Sequence, residues 1–366
     1  GLLMRLARVE VEILDVPFRE PVVSGTQRWE QHRAGILILR TDDGRKSLGE
    51  FPAPRPHDLG EDVSPRLIEA LTGIELADPM RVEGTLRDID TWPFVGRAAR
   101  SAVESALVDL LARISRGSVA AYLDRQAAAD VAVNAMLGID PPEVTATRAA
   151  ALAAAGFGCL KLKAGEEPEG VLEARVAAVR AAVGADVGLR LDFNGSLSAD
   201  RAGDVLASVA RFDSENAQQP IPASAGAEAL ARLRWSGAVP FAADESVRDI
   251  GAARVLLDTG AVDALVVMPA RVGGLRQAHA IVELAAAASV PVTVSTLFET
   301  GVGLAGALHL AATAPGRQAH GLATAELLES DLLRPPLPIT DGRMSLPGGP
   351  GLGVELDPEA LERYRV

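Results

Sequence analysis

Apolar and polar positions alternate from Leu6 to Val16, the period of a half-buried strand. Ala34 to Leu39 forms a second strand-like run, and the turn Asp42-Asp43-Gly44 leads to a third around Leu48 to Phe51. Three- and four-residue spacing then predicts helices over about Ser64–Thr72 and Gly96–Ile114. The stretch Glu20–Gln31, with Ser24, Gly25 and Thr26 ahead of Arg28 and Trp29, reads as a loop of the kind that closes over a ligand.

From about Val131 the texture changes. Short β-branched runs alternate with Ala-rich helical runs. The predicted strands are Val131–Leu137, Cys159–Lys163, Val187–Asn194, Asn216–Ile221, Pro240–Glu245, Ala264–Pro269, Val292–Thr296 and a weak Gly321–Thr324. The predicted helices between them include Glu169–Val183, Asp200–Phe212, Ala225–Trp235, Gly274–Ala288 and Val302–Ala314. Such alternation implies a parallel sheet, and this many units suit a compact (β/α)8-type barrel. A doubly wound open sheet is the alternative, but no Gly-x-Gly-x-x-Gly follows the first barrel strand. The expected class is α/β, with residues 1–125 as an α+β cap, 126–326 as the barrel and 327–366 as a Pro- and Gly-rich tail returning to the cap.

Composition narrows the field. The chain has 366 residues, 48% of them hydrophobic and only 4% aromatic, enough for a large Ala- and Leu-rich core. A net charge of −13 argues against a nucleic-acid or anionic-membrane partner. The single cysteine, Cys159, excludes an internal disulfide and a cysteine-based metal cluster. No basic start leads into an apolar stretch, and no uncharged apolar run reaches ~18 residues. The expectation is a soluble cytoplasmic protein acting on a small molecule, and assembly into an oligomer is compatible with it.

Barrel enzymes carry their chemistry at the C-terminal ends of strands. Lys161 and Lys163 end the second predicted strand, Asp192 and Asn194 the third, and Asp244 and Glu245 the fifth. Gln218 stands near the end of the fourth, Met268 ends the sixth, and the seventh runs through Ser295 toward Glu299. Residues two apart share a strand face, so Lys161 and Lys163 project side by side into the barrel mouth. Two ammonium groups this close repel, which favours release of one proton and suits a general base. Positions 163, 192, 218, 244 and 268 follow one another at 24 to 29 residues, one βα unit per step, which arranges all five around one ring. Asp192 and Asp244 are hard oxygen donors of the kind Mg²⁺ prefers. Gly273-Gly274 opens a helix N-terminus able to take a second carboxylate.

These residues resemble a family. Lys161-Leu162-Lys163 is similar to the K-x-K motif of the muconate-lactonizing subgroup of the enolase superfamily. Leu191-Asp192-Phe193-Asn194, Gln218-Gln219-Pro220 and Ala243-Asp244-Glu245-Ser246 resemble its three metal-ligand motifs. The resemblance continues through Arg271-Val272-Gly273-Gly274-Leu275, Ser295-Thr296-Leu297-Phe298-Glu299-Thr300 and Gly349-Pro350-Gly351-Leu352-Gly353-Val354. It implies a modified (β/α)7β barrel under a cap, with Mg²⁺ on Asp192, Gln218 and Asp244. It also implies a small carboxylate substrate, Lys163 as the base that removes the proton α to the carboxylate, and Lys161 as the second catalytic lysine. Asn194, Met268, Gly273, Gly274, Ser295 and Glu299 are the expected substrate-binding positions.

Within the subgroup the chain looks most similar to o-succinylbenzoate synthases, dehydratases of menaquinone biosynthesis. N-succinyl amino acid racemases, dipeptide epimerases and muconate cycloisomerases are its other relatives. It departs from the pattern twice: Gln218 stands where the family has Glu, and Met268 where it has Lys. An amide in place of a carboxylate predicts weaker Mg²⁺ binding. A thioether in place of an ammonium removes the base from one face of the substrate, which favours a one-base dehydration over a racemisation. A diverged carboxylate binder without turnover is the remaining expectation.

Overall fold

The computed structural model describes residues 4–24, 27–53, 63–76, 79–92, 96–237 and 239–366. The cap is an antiparallel meander of β1 (Leu6–Ser24), β2 (Gln27–Thr41) and β3 (Lys46–Pro52). The stretch expected to be a loop is instead the far end of a ribbon. Pairing resumes after a register shift and continues through Val22↔Trp29 to Ser24↔Gln27. Pro17 and Pro21 disguise this strand, yet β1 is an edge strand, where a missing N–H costs no ladder bond. Gly25 and Thr26 lie outside the described residues.

Two predicted cap helices are present, at Ser64–Leu71 and Arg97–Ile114, and a third, Pro79–Asp88, was hidden by its polar composition. The long helix lays an Ala-rich face on the sheet, with Ala102, Ala106 and Leu107 fully buried. Gly49 permits that approach, because a Cβ there would collide with the Ala102 carbonyl.

The predicted first barrel strand is two. β4 (Asp130–Ala132) turns away to pair with the tail, and β5 (Ala135–Leu137) enters the barrel. There follow β6 (Cys159–Lys163), β7 (Gly188–Asp192), β8 (Asn216–Gln218), β9 (Phe241–Ala243), β10 (Ala264–Val267) and β11 (Val292–Val294). These seven are parallel and adjacent in sequence order from β5 to β11. The weak eighth strand does not form. Parallel bridges Val133↔His320 and Ser295↔Gly321 link the two edges instead, with Asn134 N donating to the His320 carbonyl at 2.8 Å and Gly321 N to the Val294 carbonyl at 2.9 Å. β12 (Arg343–Ser345) pairs with β4, and the chain end runs along β1, where Val366 N donates to the Ile13 carbonyl.

Strand parity divides the barrel. Leu160, Leu162, Leu189, Leu191, Leu265 and Val267 join the main core between sheet and helices. Burying each such side chain contributes about 1.5–3 kcal/mol. The alternate positions point inward, and the interior is split in kind. Lys161, Arg190, Asn216 and Gln218 surround a small polar void, while Ala242, Ala264, Val266 and Met268 form a separate apolar cluster. The site therefore has one charged wall and one apolar wall.

Candidate active site

The charged wall is built on register. Lys163 pairs across to Asp192, and Asp192 to Gln218. Lys163 Nζ donates to Asp192 Oδ2 and to Asn194 Oδ1, each at 2.8 Å. Lys161 Nζ lies 3.1 Å from the same Asp192 oxygen. A shared carboxylate thus offsets the repulsion that the sequence alone predicts between the two ammonium groups. Burial favours the neutral acid at Asp192, but the two lysines outweigh it and hold its pKa at about 2. Asn194 turns into a left-handed conformation, φ 48, which Asn tolerates. There it accepts from Lys163 while donating to Glu245 Oε1 at 2.9 Å.

Asp244 follows the end of β9, and a buried amide aims it. Gln219 Oε1 accepts from the backbone N of Asp244 and of Ser246, each at 3.1 Å, and Gln219 Nε2 donates to the Ser246 hydroxyl and the Ile221 carbonyl. The Gln218 side-chain amide donates to Asp244 Oδ2, and the Arg271 guanidinium pairs with Asp244 Oδ1. Burial, helped by Asp244 and Asp192, pushes the neighbouring Glu245 carboxyl up to about 7.

These groups open on a cavity of about 500 Å³ between barrel and cap. Lys161, Lys163, Asp192, Asn194, Asp244 and Glu245 line one side. Met268, Leu297 and Phe298 line another, with Ser295, whose hydroxyl donates to the Gly321 carbonyl at 2.9 Å. The cap contributes Phe18, Trp29, Gln31, His32 and Arg33. Phe18 meets Phe298 edge to face, ring centroids 5.4 Å apart, and so joins cap to barrel at the cavity rim.

Several expected positions lie elsewhere. Gly273 and Gly274 do not line the cavity. The helix N-terminus beyond them is taken by the protein's own Glu104, whose Oε1 accepts from Arg276 N at 2.6 Å, and a Cβ on Gly274 would strike that carboxylate. Glu299 also stands off the cavity. Its carboxylate folds back to accept from Leu297 N, and burial together with Glu50 raises its pKa to about 7. Glu50, from β3, accepts from Thr300 N, the Thr300 hydroxyl and Gly303 N at 2.6–3.0 Å, which docks the cap on the helix Gly301–Ala311. Arg28 is exposed and paired with Glu30.

A family model described as Enolase C-terminal domain-like matches residues 144–360. The chain belongs to the enolase superfamily. Its curated relatives include a muconate cycloisomerase 1 from Rhodococcus opacus, 29% identical over 99% of this chain and 98% of that one. An o-succinylbenzoate synthase from Thermobifida fusca is 36% identical, over 63% of this chain and 73% of its own. The solved dipeptide epimerase from Enterococcus faecalis, complexed with Mg and the dipeptide L-Leu-L-Tyr, superposes with a TM-score of 0.86 at 25% identity, covering 97% of this chain and all of that one. The superfamily's fold is the one seen here, and its members catalyse several reactions. No described helix is long and apolar enough to cross a membrane.

Superfamily enzymes generally use Mg²⁺. Here Asp192, Asp244 and the Gln218 side-chain carbonyl offer the hard oxygen donors that such an ion takes. The donor set fits in kind, but it is engaged: Asp192 accepts from both lysines and Asn194 N, and Asp244 from Gln218 and Arg271. Among the described residues no group of three or more His, Cys, Asp or Glu is disposed to hold a metal. Arg271, Gln219 and Arg33 are among the polar groups of the site to which sequence reasoning gave no role. The signal for Arg271 was its place three residues after Met268, one helical turn on.

Proposed function

We propose that this chain is a carboxylate-processing enzyme that uses one base. Lys163 Nζ, as the neutral amine, takes the proton α to a substrate carboxylate, the C–O bond of a neighbouring hydroxyl then breaks, and the ammonium so formed returns the proton to the departing oxygen so that water leaves. This is a dehydration of the o-succinylbenzoate synthase kind, a cytoplasmic step in menaquinone biosynthesis. The observation that carries it is the asymmetry of the cavity: both lysines stand on one wall, and Met268 with its apolar neighbours forms another.

Lys161 stays beside Asp192 and faces the negative charge that develops on the carboxylate. Asn194 orients Lys163. Met268, Leu297 and Phe298 take the apolar body of the substrate. Asp192, Gln218 and Asp244 would hold Mg²⁺, which when bound draws electron density from the substrate carboxylate. The Thermobifida relative supports the dehydratase reading.

The near full-length similarity to the Rhodococcus muconate cycloisomerase supports a second one, cycloisomerisation, which also needs only one base. Racemisation and epimerisation need a second base, which Met268 does not supply. Turnover of a hydroxylated cyclohexadiene carboxylate tests the proposal, with muconolactone assayed beside it. Dehydration lost in Lys163→Ala supports it. Binding without turnover in either assay leaves a carboxylate binder.

A further inference from the structure

The Mg²⁺ ligands assigned above meet a further cation, Arg271, to which the sequence pattern gave no role. Arg271 stands in the short helix Pro269–Val272 directly after β10, with its N–H on the Met268 carbonyl. Its guanidinium pairs with Asp244 Oδ1 and lines the cavity. Asp244 is 2% exposed, and its other oxygen receives the Gln218 amide. Both oxygens of this carboxylate are therefore occupied by N–H donors, and one donor carries a full positive charge. Lys161 and Lys163 are committed to Asp192, and Arg33, on the cap side, lies 3.7 Å from Asp15.

We propose that Arg271 is the resident counter-cation of Asp244, and that a divalent metal enters the site by displacing it. This rests on the reading that Asp192, Gln218 and Asp244 are the metal ligands. A buried carboxylate needs a partner, and a guanidinium is charged at every accessible pH, so protonation does not release it. Its backbone is fixed by the helix, but its side chain keeps 18% of its surface exposed on the cavity side, which gives the guanidinium somewhere to go. The metal then works against an existing ion pair. Gln218 compounds the effect, because an amide adds no charge to help expel the arginine.

Calorimetric titration of MgCl₂ into the natural chain, the Arg271→Gln variant and the Arg271→Lys variant tests this without substrate or turnover. Removing a charged hydrogen bond to a buried carboxylate should tighten Mg²⁺ binding on the order of tenfold in Arg271→Gln. Arg271→Lys, which keeps the charge, should stay near the natural affinity. Thermal unfolding gives an independent reading. Without metal, Arg271→Gln should melt below the natural chain, and saturating Mg²⁺ should raise its midpoint by more than it raises the natural one. Equal or weaker Mg²⁺ binding in Arg271→Gln overturns the competition while leaving the ligand set intact. No binding by any of the three overturns both. Neither outcome bears on whether Lys163 abstracts a proton, which is read from substrate.

Discussion

Arg175 supports the charged wall from behind, and its removal should be costly. It lies on the helix Val171–Val183 with its side chain fully buried. Its guanidinium sits 2.6 Å from Glu167 Oε1 and donates to the Gly138 carbonyl at 2.8 Å and the Lys163 carbonyl at 3.0 Å. Arg175→Met keeps most of the aliphatic volume and removes the charge. It leaves the Glu167 carboxylate, 7% exposed, without its cation, and two carbonyls without their donor. Breaking one half of a buried pair costs about 3–5 kcal/mol. The orphaned carbonyls act within the same network and do not add independently.

The predicted loss for Arg175→Met is thus about 3–5 kcal/mol, read from the urea midpoint and slope by circular dichroism. Adding Glu167→Gln should recover part of it, since the uncompensated charge is then gone. A loss under about 1 kcal/mol would place the pair in the class of weak surface bridges and refute the reasoning. A double variant no better than the single would show that the charge was not the cause.

Four further outcomes follow from the site. Gln218→Glu restores a third carboxylate and should tighten Mg²⁺ binding about tenfold or more by calorimetry, whereas unchanged affinity removes Gln218 from the ligand set. Met268→Lys should introduce a base on the apolar wall, so that α-proton exchange begins to scramble configuration in chiral chromatography. Glu299 holds its proton to about pH 7 in the folded chain, above its ordinary 4.5, so its contribution to stability is full at low pH and is lost as pH rises through about 7. Glu299→Gln stays neutral and should gain on the natural chain in melting temperature from pH 5 to pH 8, and a pH-independent difference would reject the assignment. Phe18→Ala should loosen the rim contact with Phe298 and raise KM more than it lowers kcat.

The inward pair Lys161 and Lys163 was legible because period-two parity and an apolar flank leave no other face for them. Asp192 and Asp244 were legible from their spacing around one ring. What each contacts was not, since Asp192 bridges both lysines through geometry that only the β6–β7 register supplies. Arg271 opened one of the matching runs but received no role, because parity arguments stop at the strand end, and its helix begins there. The ribbon at residues 20–31 was misread because Ser24, Gly25 and Thr26 have a loop's composition, whereas the pairing from Val22↔Trp29 to Ser24↔Gln27 is a cross-strand feature that local composition does not carry. Gly273-Gly274 showed the limit of a local motif: a helix N-terminus invites an anion, but Glu104, 170 positions before Gly274, already answers it.

The central claim is that Lys163 is the base and works from one face. Its most direct test holds a chiral N-succinyl amino acid with the chain and Mg²⁺ in deuterated water, and follows α-deuterium by proton NMR and configuration by chiral chromatography. The account predicts deuterium uptake with retained configuration, abolished in Lys163→Ala. Racemic product at a catalytic rate would contradict it and require a second base on the wall that Met268 occupies.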